Sequence, residues 1–168
     1  MTNEYFWHYN DDEYMAFAKQ YIKELKEDFD YREFINPYNE ERELIGAIIE
    51  EFQLLEQSMK YLLYCAVENN IYKGSCTFDF DKYISATTIV VELKDVLIDP
   101  KIAGELKTLI KFRNYIVHSH YTDEKRDEKL QYFPIYLFKI YEANEYISNV
   151  VNRIIGGATH IPNIFEVR

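Results

Sequence analysis

The sequence contains little proline, glycine or cysteine, and it lacks a long uninterrupted apolar run. Its 168 residues include four prolines, five glycines and two cysteines. The apolar runs are far shorter than the roughly 20 residues that a membrane-spanning helix needs, so we expect no membrane partner. Cys65 and Cys76 form no CxxC pair and no metal-like cluster. We therefore expect no metal, no cofactor and a reduced, cytoplasmic protein, and the acidic, aromatic N-terminus predicts no signal peptide.

Positive charge is also scarce, because 19 Lys and Arg residues stand against 29 Asp and Glu residues, giving a formal net charge of −10. The global field of such a chain repels nucleic acid. The charge is uneven, however, since residues 101–139 contain eight Lys or Arg and five Asp or Glu, a local net charge of +3. This locally basic segment contains the stretch FRNYIVHSHY, residues 112–121.

The sparse proline and glycine leave long segments with apolar residues at helical spacing. These segments predict helices over residues 11–34, 41–69, 101–121 and 130–155, and the second has the clearest apolar face. Residues 81–98 contain TTIVV, which favours a strand by propensity, but the spacing around it favours a helix. We therefore predict an all-α fold, a bundle of four or five long helices with short connections.

The whole chain, residues 1–168, is predicted to be one helical domain with its core at about residues 41–155. Residues 1–38 would contribute an N-terminal helix, and residues 156–168 an extended tail. The charged run TDEKRDEK, residues 122–129, is predicted to be a solvated loop.

The stretch FRNYIVHSHY, which ends the predicted helix 101–121, contains two of the four histidines of the chain. At 100° per residue, Arg113 and His120 fall near the middle of the apolar face of this helix. Asn114 and His118 lie together on its flank. An arginine on a buried face needs a partner, because an unpaired charge in a dry core costs several kcal/mol.

A carboxylate that could pair with Arg113 lies on the apolar face of the predicted helix 41–69, at Glu56. One interpretation of the stretch is therefore structural, with a buried Arg113–Glu56 pair and histidines near a helix C-terminus, where a cation is favoured.

The spacing supports a second interpretation, since an arginine, four to six residues and a histidine are the hallmark of the HEPN superfamily. RNYIVH gives the four-residue form with Arg113 and His118, and RNYIVHSH gives the six-residue form with His120. The chain resembles HEPN domains over roughly residues 41–155, including EEFQLLEQSMKYLL, ELKDVL and LKTLIKFRNYIVH. Toxins of this family that are paired with nucleotidyltransferase antitoxins usually have His-x-Tyr, whereas here the tyrosine, Tyr121, is one position later.

HEPN domains are typically metal-independent endoribonucleases that act as homodimers, in which two motifs face each other across a composite cleft. The family includes toxins of toxin–antitoxin pairs, effectors of phage defence, and inactive members that only bind. The resemblance implies RNA cleavage to a 2′,3′-cyclic phosphate, with Arg113 on the phosphate, a histidine transferring protons and Asn114 in support. An antitoxin or another product of a neighbouring gene would be a partner.

The family spacing favours His118 as the working histidine, whereas ideal helical geometry places His120 on the same face as Arg113. We favour His118, because the last turn of a helix often tightens and shifts such angles. Two alternatives to the nuclease stay open. One is a non-catalytic HEPN-like module that binds a protein or a nucleotide, and the other is a plain helical dimerisation domain.

Overall fold

A computed structural model of the chain describes residues 11–24, 40–94 and 98–156. Over these residues the chain is all-α, as predicted, with six α-helices, one 3₁₀ helix and no strand. The α-helices are α1 (Asp11–Glu24), α2 (Glu41–Glu68), α3 (Ala86–Leu93), α4 (Pro100–His118), α5 (Arg126–Leu130) and α6 (Phe133–Ile155). The 3₁₀ helix, His120–Thr122, lies between α4 and α5. None of the helices in these ranges is long and apolar enough to cross a membrane.

The long helices fall on the segments with helical spacing. Helix α3 is shorter than the predicted helix 81–98, but it contains TTIVV, so the apolar period outweighs the β-propensity of these residues. Helix α1 covers the first part of the predicted helix 11–34, and the rest of that helix lies outside the described residues, as does the predicted tail after Gly156.

The prediction of a solvated loop over residues 122–129 is wrong in its second half. Arg126–Leu130 form the short helix α5, and Lys129 is only 6% exposed. The pattern of charges was misleading here because lysine can bury its long apolar stem and pair its ammonium group with a carboxylate.

The chain divides into two compact units, and each of α2, α4 and α6 contributes to both of them. The first unit consists of Met1–Phe52 and Leu109–Tyr141, and the second of Gln53–Thr108 and Glu142–Arg168. The first unit therefore contains the whole stretch from Phe112 to Tyr121. The prediction of a single domain stays a prediction.

Aromatic rings form the core of the first unit. Phe112 of α4 stacks on Tyr136 of α6 with ring centroids 4.0 Å apart, and it meets Phe133 edge to face at 5.3 Å. Phe17 of α1 adds a third layer against Tyr136 at 5.4 Å. An ion pair of 2.9 Å between Glu13 and Lys111 also joins α1 to α4. These contacts fix the half of α4 that carries the motif, because large buried rings contribute most to packing energy.

Local signals in the second unit explain where its helices begin and end. Helix α2 ends at Glu68, and two residues later the positive φ of 56° at Asn70 allows the N–H groups of Ile71 and Tyr72 to donate to the carbonyl of Ala66. Asp99 caps α4, since its Oδ1 accepts from the N–H of Lys101 at 2.8 Å, and Pro100 occupies the first helical position.

Candidate functional site

Helix α4 presents the residues of the motif in very different surroundings. Arg113 is half-buried, and its guanidinium carbon lies 5.3 Å from the centre of the Phe52 ring on α2. Asn114 is buried at 8% exposure, whereas His118, the last residue of α4, is exposed to solvent. The cation–π contact holds Arg113 through an apolar partner and contributes about 1 kcal/mol.

The α-helix ends at His118, and His120 begins the 3₁₀ helix that follows. The N–H of Ser119 donates to the carbonyl of Tyr115 at 2.8 Å, and the chain then tightens into the 3₁₀ helix that begins with His120. His120 is fully buried, while Tyr121 next to it is 59% exposed. Of the two histidines of the motif, His118 is therefore exposed to solvent and His120 lies in the interior.

The imidazole of His120 is bound on both sides. Its Nε2 lies 2.5 Å from Oε1 of Glu41, the first residue of α2, and it donates, because a carboxylate has only acceptors. Its Nδ1 lies 3.4 Å from the hydroxyl oxygen of Tyr115, a long contact. The ring also packs against Phe133 at 5.0 Å. His120 thus joins the beginning of α2 to the end of α4.

The hydroxyl of Tyr115 extends this chain of contacts to α5. It donates to Oδ2 of Asp123 at 2.8 Å, and Lys129 donates its Nζ proton to the same oxygen at 2.5 Å. Burial alone would raise the pKa of Asp123, but the hydrogen bonds from Lys129, from the backbone of Lys125 and from Tyr115 lower it to about 2. The carboxylate is consequently ionised at neutral pH.

These contacts join five side chains of the first unit into one polar network. Its members are Glu41, His120, Tyr115, Asp123 and Lys129. We call this set the polar network. It includes two carboxylates, one ammonium group and one imidazole, and its members are mostly removed from water. Such a network holds a segment in one arrangement, because each buried polar group that loses its partner costs about 1–3 kcal/mol.

Reasoning from the sequence identified only one of these five residues, His120. Glu41 is one of many acidic residues, and Asp123 and Lys129 belong to the run that was interpreted as a solvated loop. Tyr115 is one of 16 tyrosines. The available signal was the residue type at position 123, because aspartate is favoured in turns where its side chain accepts from the N–H two residues later, as Oδ1 of Asp123 does from Lys125 at 2.9 Å.

The predicted pairing of Arg113 with Glu56 stays a prediction. Arg113 belongs to the first unit and Glu56, which is half-buried, to the second. Both residues take part in further polar or electrostatic interactions.

Within the described residues, no group of three or more His, Cys, Asp or Glu side chains is arranged to hold a metal ion. The chain matches no protein-family model, and no curated protein and no solved structure is significantly similar to it. The candidate site therefore consists of an exposed imidazole at the end of α4, that of His118, and the guanidinium of Arg113 about one and a half turns earlier.

Proposed function

We propose that the chain is a metal-independent endoribonuclease of HEPN type that acts as a homodimer, with Arg113 and His118 as its catalytic residues. The observation that supports this proposal is the contrast at the end of α4. His118 is exposed where a substrate can reach it, and the neighbouring His120 is buried against Glu41. Of the two histidines that match the family spacing, only His118 is available to exchange protons with a bound ligand.

The reaction proposed is transesterification within RNA. The ribose 2′-oxygen attacks the phosphorus, the bond from phosphorus to the 5′-oxygen breaks, and a 2′,3′-cyclic phosphate forms. A neutral imidazole takes the proton of the 2′-hydroxyl, and a protonated imidazole gives a proton to the leaving 5′-oxygen. One imidazole cannot be neutral and protonated at once, so a cleft built from two copies of the chain would supply both forms of His118.

Arg113 suits the charge that develops on the phosphate, since a guanidinium stays protonated and can donate two parallel hydrogen bonds. Its position over the Phe52 ring limits the freedom of the side chain before substrate binds. Asn114 is buried, so its proposed part is to position the helix or a neighbouring side chain rather than to touch RNA. His120 and Tyr121 are left outside the reaction itself.

Local charge makes an RNA substrate compatible with an acidic chain. The overall net charge is −10, but residues 101–139 carry a net charge of +3, and two copies would bring two such segments to one cleft. A cytoplasmic location is also part of the proposal, and it is supported by the two free cysteines, Cys65 and Cys76. A role as a toxin or phage-defence effector would add an antitoxin or another neighbouring-gene product as a partner.

The test is cleavage of mixed RNA by the purified protein in EDTA, with the product ends identified. We expect 2′,3′-cyclic phosphate ends from the wild type, and a loss of rate of at least about a hundredfold for Arg113→Ala. Arg42→Ala is the matched control, because Arg42 is an exposed arginine of α2. Circular dichroism would establish that the variant is folded. No cleavage by the wild type, or equal cleavage by Arg113→Ala, contradicts the proposal.

The second candidate is a non-catalytic HEPN-like module that binds a protein or a nucleotide. It is favoured by the net charge of −10 and by the burial of two motif residues, Asn114 and His120. A protein that forms a dimer and binds RNA or a partner protein without cutting RNA would support this candidate. A dimer without either kind of ligand would leave the plain dimerisation domain.

A further inference from the structure

The polar network adjoins the exposed end of α4, because its member His120 is two residues after His118. None of its members takes part in the proposed reaction. We propose that Glu41 and His120 are positioning residues, which hold the last turn of α4 closed and thereby fix the place of His118. The catalytic consequence rests on the proposed function, but the structural consequence does not.

The Glu41–His120 pair, which we call the anchor, lies at the end of α4. His120 lies two residues after His118, and its Nε2 is 2.5 Å from the Glu41 carboxylate. The partner is remote in sequence and belongs to another helix, so the pair fastens the end of α4 to the beginning of α2. The side chain of Glu41 is 30% exposed and that of His120 is 0% exposed, which places the pair at the edge of the interior.

The chain after His118 is also held at Asp123. Asp123 accepts the hydroxyl proton of Tyr115, a residue of the last turn of α4, and Lys129 fixes Asp123 from α5. The intervening backbone is closed by short-range bonds, from the N–H of Thr122 to the carbonyl of Ser119 and from Asp123 to His120. The segment from Ser119 to Asp123 is therefore held against the last turn of α4.

These contacts restrain the last turn of α4, which contains His118. The last turn of a helix frays unless its end is held, because its final carbonyls lack partners within the helix. The bond from the N–H of Ser119 to the carbonyl of Tyr115 completes the last turn of α4, and it lies next to His120. Releasing His120 from Glu41 would let this turn open, and the imidazole of His118 would lose its fixed position.

The direct test is amide hydrogen exchange on the full chain, comparing the wild type with Glu41→Ala and Glu41→Gln. We expect the amides of Val117 to Tyr121 to exchange at least about tenfold faster in Glu41→Ala, because a hydrogen bond to a charged group is lost. Glu41→Gln keeps an acceptor of similar length and should restore part of the protection. The matched control is Glu50→Ala, which removes an exposed carboxylate from the same helix.

Two exchange results would overturn the proposal. One is unchanged exchange over Val117 to Tyr121 in Glu41→Ala. The other is an equal acceleration at the buried amide of Ile140 in α6, because that pattern indicates loss of general stability rather than a local opening. The exchange experiment tests whether the Glu41–His120 pair holds the end of α4, and it does so whether or not the protein cuts RNA.

Kinetics then test the consequence for the reaction. If the wild type cleaves RNA, Glu41→Ala should lower kcat about tenfold or more with little change in KM, and Glu41→Gln should recover part of kcat. Wild-type kcat in Glu41→Ala despite faster local exchange would contradict the positioning role. Absence of cleavage by the wild type would contradict the proposed function. The exchange experiment would still show whether Glu41 and His120 hold the end of α4.

Discussion

The two histidines at the end of α4 are two residues apart, and their surroundings are opposite. His118 is the last residue of the helix, and its side chain is exposed to solvent. His120 begins the 3₁₀ helix in the interior, between Glu41, Tyr115 and Phe133. A surface imidazole can exchange protons with a ligand, whereas a buried and doubly bound imidazole holds parts of the fold together.

The helical period already separates the two residues, since 100° per residue places His120 on the apolar face of the helix and His118 on its flank. Helix α4 ends at His118, and the chain then tightens. This change of helix type leaves Tyr121 exposed and brings Asp123 back to Tyr115. Within one short motif, His118 is thus a candidate for proton transfer and His120 is a structural residue.

The largest expected effect is on stability, from His120→Ala. Removing the imidazole leaves a cavity and takes a partner from Glu41, so we expect a loss of about 3 kcal/mol in the free energy of unfolding. The matched substitution His118→Ala should change it by no more than about 0.5 kcal/mol, as for an exposed residue. Urea unfolding at pH 7 measures both values. Equal losses from the two variants would remove the contrast between the histidines.

A smaller effect is expected from Asp123→Asn, which keeps the shape of the side chain and removes its charge. The pKa of Asp123 is lowered to about 2, so its ionised form stabilises the fold above its ordinary pKa. This contribution amounts to about 2 kcal/mol at pH 7, and it is lost as the pH falls from about 5 towards 2. Unfolding curves across this range should converge for the wild type and the variant. A difference that is independent of pH would contradict the assigned charge.

The smallest effect concerns a single hydroxyl group. Tyr115→Phe removes the donor to Asp123 and the oxygen that faces His120, with an expected loss of about 1 kcal/mol. Tyr121→Phe is the control, because Tyr121 is exposed on the neighbouring 3₁₀ helix and should be close to neutral. Thermal unfolding of the two variants distinguishes them. A Tyr115→Phe protein as stable as the control would show that the network adds nothing to the fold through this hydroxyl.

The helices could be predicted from the sequence because a long apolar period is a local signal. The stripe of α2 leads to buried residues such as Ile48, Phe52 and Met59, and TTIVV is helical because its neighbours keep the same period. The polar network could not be predicted in this way. Glu41 and His120 are separated by 79 positions, and no spacing along the chain indicates that they meet.

The end of α4 was the least predictable point, and the site depends on it. Helical arithmetic at 100° per residue places His120 on the apolar face and His118 on its flank, which agrees with their burial and exposure, but it does not indicate that the α-helix ends at His118 rather than at Tyr121. The charged run after α4 was misleading, since Asp123 and Lys129 are paired in the interior rather than solvated. A charged side chain can be buried only where it has a partner of opposite charge, and such a partner is known only once the chain has folded.

RNA cleavage by His118→Ala in EDTA, at a temperature where the variant is as fully folded as the wild type, tests whether this histidine takes part in the reaction. We expect an unchanged unfolding temperature, because His118 is exposed, and a rate lowered by about a hundredfold or more, because the proposed role of His118 is proton transfer. Cleavage at the wild-type rate by folded His118→Ala protein would contradict the account.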